Sequence, residues 1–86
     1  MKKLVLTLAL LVFSLPVHAA SVTNKDSDSR TLIVTEGGSK TELVLSAGET
    51  IEFCAGGCFV TMPNGDREAL SGNENIEISG GRAEFK

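Results

Sequence analysis

Apolar and polar residues alternate in two different ways along this chain. Leu4 to Leu15 is an unbroken uncharged stretch, whereas beyond residue 20 the apolar residues come singly or in short groups divided by glycine-containing turns. Alternation of β-branched and aliphatic residues with polar ones over about 4–8 positions marks half-buried strands. On that basis strands are predicted at Ser21–Thr23, Thr31–Thr35, Thr41–Ser46, Thr50–Cys54, Cys58–Met62, Arg67–Leu70, Asn75–Ser79 and Arg82–Phe85. The segments between them are rich in Gly, Asn, Asp and Ser, and Asn64-Gly65 is a strong hairpin signal. Seven or eight short strands separated by such turns predict an all-β fold, a small antiparallel sandwich or partly open barrel. The connections are too short for parallel crossovers, so the pairing is expected to be mostly antiparallel.

The N-terminal stretch has a different character. Met1-Lys2-Lys3 is basic, Leu4 to Leu15 is apolar, and Pro16-Val17-His18-Ala19-Ala20 combines a helix breaker with small residues. This is the pattern of a secretory signal peptide. The apolar run is shorter than the roughly 20 residues a spanning helix needs. Val17 and Ala19 fit the small-residue positions before a cleavage point, which predicts a signal over residues 1–19, with Ala20 as the competing last residue. Residues 20–86 then form a single small β domain, periplasmic or secreted, with no membrane span in the mature chain.

Charge and composition narrow the function classes. The 86 residues carry 8 Lys+Arg and 11 Asp+Glu. Losing Lys2 and Lys3 with the signal leaves a mature net charge of −5. That balance speaks against nucleic acid or anionic lipid as partners. The only histidine is His18, so the mature chain has none. A Ser-His-Asp triad, a Cys-His pair and His-bound zinc are therefore excluded. The expectation is no enzyme and no cofactor, but a non-catalytic binding or structural module whose partner is an unknown protein or envelope component.

Leu32, Val34, Leu43, Leu45, Ile51, Phe53, Phe59, Leu70, Ile76, Ile78 and Phe85 are the expected core. So small a core calls for a staple, and two cysteines in an exported chain supply a disulfide, Cys54 to Cys58. With Ala55-Gly56-Gly57 as a hairpin loop, Cys54 stands opposite Cys58, Phe53 opposite Phe59 and Ile51 opposite Thr61. Cross-strand partners share a face. This predicts Ile51, Phe53 and Phe59 inside, with Glu52, Cys54, Cys58, Val60 and Met62 outside.

The same cysteines admit two chemical readings. A redox pair is disfavoured by the three-residue spacing and by the absence of a following helix. Thiol-handling or Cu(I) binding by Cys54, Cys58 and Met62 has suitably soft ligands, but Met62 lies roughly 13 Å along a straight strand from Cys58. The glycine pairs open no helix and so make no phosphate loop. The scattered acids read as a solvated face, and Asp26 with Asp28 lack the further ligands a Ca²⁺ site requires.

Two resemblances accompany these readings. Ser21-Val22-Thr23-Asn24-Lys25-Asp26, then Leu32-Ile33-Val34-Thr35-Glu36-Gly37-Gly38, then Leu45-Ser46-Ala47-Gly48-Glu49-Thr50-Ile51-Glu52-Phe53-Cys54 resembles a group of small exported alpha-proteobacterial proteins of unknown function. That resemblance extends from Ser21 to about Ile78 and implies location and fold, not chemistry. Asn24, Asp26 and Ala47-Gly48-Glu49-Thr50 leading to Cys54 also resemble cupredoxin-like sandwiches. Arg30 stands near the place of their first histidine and no histidine follows Cys54, so the copper ligands are lacking and only a trimmed sandwich is implied.

Overall fold

The computed structural model describes residues 19–86; the expected signal segment, apart from Ala19, lies outside the described residues. The described region is all-β. Eight strands follow one another: β1 (Ala20–Asn24), β2 (Arg30–Glu36), β3 (Ser39–Leu45), β4 (Thr50–Phe53), β5 (Cys58–Thr61), β6 (Arg67–Leu70), β7 (Asn75–Ser79) and β8 (Arg82–Phe85). They form two four-stranded sheets, ordered β4-β1-β7-β8 and β3-β2-β5-β6. The sheets do not close into a barrel, and the arrangement is a small sandwich. No helix occurs among the described residues.

Three tight hairpins follow from the turn chemistry. Gly37 and Gly38 both have positive φ, 55° and 85°, which is what a two-residue turn between right-twisted strands demands. Gly80 and Gly81 do the same between β7 and β8, and the Asn64-Gly65 segment joins β5 to β6. The other connections carry the chain from one sheet to the other. Pairing is antiparallel throughout except between β1 and β7, which run parallel with Val22 beside Ile76. These two strands are far apart in sequence, so the chain between them supplies the long crossover that short connections cannot.

The core lies between the sheets. Val22, Leu32, Leu45, Val60 and Ile78 are its largest fully buried apolar side chains. In β2 and β5 the pairing of Val34 with Val60 fixes which residues face inward. A side-chain period of two then places Cys58, Val60 and Met62 inside and Phe59 outside.

This corrects the expected face assignment. Cys54, Cys58, Val60 and Met62 are buried, whereas Phe59 is 62 % exposed. The expected hairpin does not exist: β4 pairs with β1 in one sheet, and β5 pairs with β2 and β6 in the other. Cys54 to Cys58 is thus a crossover between sheets. Ile51 and Phe53 do face the core, opposite Val22 and Ala20, but as half-buried residues of an edge strand. Leu43 is likewise half-buried, and Phe85, opposite Ile76 on the edge strand β8, is half exposed.

Candidate binding face

Cys54 and Cys58 are the residues of this chain with the clearest potential for chemistry. Cys54, just past the end of β4, has φ of 63°, the one non-glycine residue with positive φ among the described residues. That left-handed residue breaks the strand alternation, so Phe53 and Cys54 both turn toward the interior. The Gly57 N–H donates to the Cys54 carbonyl at 3.1 Å, closing the turn. Cys54 and Cys58 are joined as a disulfide across a Cα separation of 5.6 Å. A spacing of four satisfies disulfide geometry in a hairpin and in a crossover alike, which is why sequence alone favoured the wrong one. Met62 shares the inward face of β5 with Cys58 but is displaced along the strand. A soft-metal site at this place would need the buried cystine reduced first. Among the described residues no group of three His, Cys, Asp or Glu side chains is placed to hold a metal.

The two acids with perturbed titration are occupied by the backbone. Asp26 accepts from the Gly80 N–H at 2.7 Å, the Gly81 N–H at 3.0 Å and Arg30 Nε at 2.8 Å. The two glycine N–H groups, helped by Arg30, hold its carboxyl below the ordinary aspartate value. Asp26 is therefore the clasp between the β1–β2 loop and the β7–β8 turn. Asp28 contributes only its carbonyl, to Asn24 Nδ2. Glu74 accepts from the N–H of Ser71 at 2.6 Å, Gly72 at 2.9 Å and Asn73 at 3.1 Å, and from Ser71 Oγ at 2.9 Å. The Ser71 and Gly72 N–H groups, with Ser71 Oγ, lower its pKa to about 2. Both are loop-folding carboxylates rather than acid or base groups poised in a cleft.

The two outward faces remain, and they differ. The outer face of the β4-β1-β7-β8 sheet is polar and bonded to itself. Thr23 Oγ1 meets Thr50 Oγ1 at 2.7 Å, Ser21 Oγ donates to Asn75 Oδ1, and Lys86 Nζ lies 3.6 Å from Glu77 and 3.5 Å from Glu84.

The outer face of the β3-β2-β5-β6 sheet carries Phe59 on an interior strand. Thr35 of β2 and Ala69 of β6 flank it in register. One row along, Glu42, Ile33, Thr61 and Arg67 lie side by side, and Val44, 58 % exposed, stands opposite Thr31. Because Thr35 and Ala69 are small, the phenyl ring stands proud between two shallow depressions. One, of about 400 Å³, reaches the β2–β3 turn at Gly37-Gly38 and the crossover at Gly57. The other, of about 430 Å³, lies over Arg67 and Ala69.

Sequence alternation places Phe59 in the core and so does not reveal this face. The available signal was weak: Phe59 alternates with Val60 in a strand whose neighbours on both faces are apolar.

Comparison with protein-family models, curated proteins and solved structures returns no match.

Proposed function

We propose that this chain is an exported, non-catalytic binding module of the cell envelope. Its partner docks on the outer face of the β3-β2-β5-β6 sheet, around Phe59. The observation that carries this reading is the outward placement of Phe59 in a domain short of aromatic residues. Burying a phenyl ring contributes about 1.5–3 kcal/mol, and this domain leaves that contribution unused in its own core. Aromatic side chains, phenylalanine among them, are enriched at interfaces and dominate their energetics. The polar groups of the opposite face already bond to one another, so that face offers a partner less. The non-catalytic part rests on chemistry: histidine is absent from residues 19–86, the cysteines are paired, and the two perturbed acids close loops. Export rests on the N-terminal pattern and on a disulfide, which persists in an oxidising compartment.

A photo-crosslinking residue placed at Phe59 and, separately, at Thr50 on the opposite face tests this in the native host. The expected result is one discrete adduct from the Phe59 position and none from Thr50. Phe59→Ser should unfold within about 0.5 kcal/mol of the parent and should not compete for that adduct. Equal labelling from both faces would remove the docking surface from this sheet. A uniformly cytosolic, uncleaved chain would remove export.

A further inference from the structure

Beyond the binding face, we infer that the β3 edge is a self-association site. Two copies of this chain pair β3 with β3 antiparallel about a two-fold axis at Thr41. An edge strand exposes a row of unpaired N–H and C=O groups, and natural domains blunt such edges by keeping them short, bulged, broken by proline or charged, lysine above all. Three of the four edges are short, β4, β6 and β8 having 4 residues each, whereas the charges on β3, Lys40 and Glu42, are of opposite sign and complement one another across a two-fold axis. β3 has 7, with neither Pro nor Gly, and its pairing with β2 runs from Glu36–Ser39 to Arg30–Leu45 without a bulge. From Ser39 to Glu42 every residue is exposed.

The register is set by two independent conditions. The two-residue turn makes Glu36 and Ser39 the first hydrogen-bonded pair, and such pairs alternate along an antiparallel ladder. Ser39, Thr41 and Leu43 therefore direct their backbone groups to β2, and Lys40, Glu42 and Val44 direct theirs to the open edge. Only registers that pair these outward residues with one another can bond. Centring the axis on Lys40 opposes two lysines, centring it on Glu42 opposes two glutamates, centring it on Ser39 sets Glu42 against Glu36, and centring it on Leu43 sets Glu42 against Val44 and pairs no opposite charges. Centring it on Thr41 places Lys40 opposite Glu42 of the second copy, twice by symmetry, and seats Val44 beside Gly38. Neither Lys40 nor Glu42 forms an ion pair within its own chain among the described residues. A two-fold interface is self-complementary in this way. The result is a continuous eight-stranded sheet that presents two Phe59 side chains, five strand spacings or roughly 24 Å apart, on one surface.

Protein expressed from the full 86-residue sequence and purified as it accumulates should be examined by sedimentation equilibrium. The expected result is a concentration-dependent dimer that weakens with added salt. Lys40→Glu and Glu42→Lys should each weaken it, by roughly 30-fold, because each turns two attractive cross-strand pairs into repulsive ones. Mixing the two variants should restore a dimer, since one then carries two acids and the other two bases at the facing positions. Circular dichroism of each variant should match the parent, both residues being exposed. A monomer at all concentrations up to about 1 mM would overturn the inference. So would a dimer indifferent to both reversals, or one dissolved by Phe59→Ser and not by the charge changes. That last outcome would leave the Phe59 binding face standing.

Discussion

At one end of the sandwich the loops are held by Asn24 and Asp26 bonded to backbone across several connections, and at the other by a cystine, with Glu74 folding the β6–β7 loop on itself. The polar end gathers the β1–β2, β3–β4, β5–β6 and β7–β8 connections. Asn24, fully buried, shares its two Nδ2 hydrogens among the carbonyls of Asp28 (2.8 Å), Leu45 (3.2 Å) and Ser46 (3.3 Å), and its Oδ1 accepts from the Asp26 N–H. Asp26 then reaches the β7–β8 turn. The cystine end gathers the β2–β3, β4–β5 and β6–β7 connections, and there the covalent bond is only part of the closure. Gly72 lies so close to the crossover that a Cβ on it would fall 2.6 Å from the Ala55 carbonyl oxygen and 2.9 Å from that of Cys54. A disulfide closing a five-residue loop removes little chain entropy, while the one buried amide satisfies the buried Leu45 carbonyl and ties two further loop carbonyls to it.

That comparison predicts a ranking. Asn24→Ala should be the most damaging change, costing about 3–5 kcal/mol, because it strands the buried Leu45 carbonyl and loses the bonds to Asp28, Ser46 and the Asp26 N–H as well. Urea unfolding measures it, and a cost below that of removing the cystine would reverse the view of the two ends. Gly72→Ala should follow at about 2–4 kcal/mol. Its φ of 115° disfavours any side chain, and the Ala55 and Cys54 carbonyls must move to admit one. Cys54→Ala/Cys58→Ala should cost less, roughly 2 kcal/mol, from loop closure. It should keep the β-sheet circular dichroism of the parent; complete unfolding would show the cystine end to be the dominant one.

The smallest effect is titration, and it touches both ends. Asp26 and Glu74 have lowered folded-state pKa values, Glu74 going from 4.5 to about 2. A depressed acid stabilises the fold above its unfolded pKa and loses that contribution as pH falls through the folded value. Melting temperature should therefore decline between about pH 5 and pH 2. Glu74→Gln should flatten part of that decline, and Asp26→Asn another part. If both variants retained the full parent slope, other groups would be responsible.

How much of this was legible beforehand varies with the range of the interaction concerned. The strand positions, the three glycine or Asn-Gly hairpins, the all-β class and the Cys54–Cys58 pairing depend on neighbours a few residues apart, and alternation, φ preference and loop length determined them. The candidate face could not be found that way. Whether Phe59 or Val60 points inward depends on whether β5 pairs with β4 or with β2, and both choices satisfy the local pattern. Only the meeting of Val34 with Val60, distant in sequence, decided it and sent Phe59 outward. Asn24 and Asp26 were visible as a polar turn, but their partners at Leu45, Ser46, Gly80 and Gly81 are brought there by the packing of the sheets. Local periodicity thus determined what each segment is. Which side each segment shows to the core, and which polar group it satisfies, were decided by strand pairing across the whole chain, because a shift of one residue in register exchanges every inward side chain for an outward one.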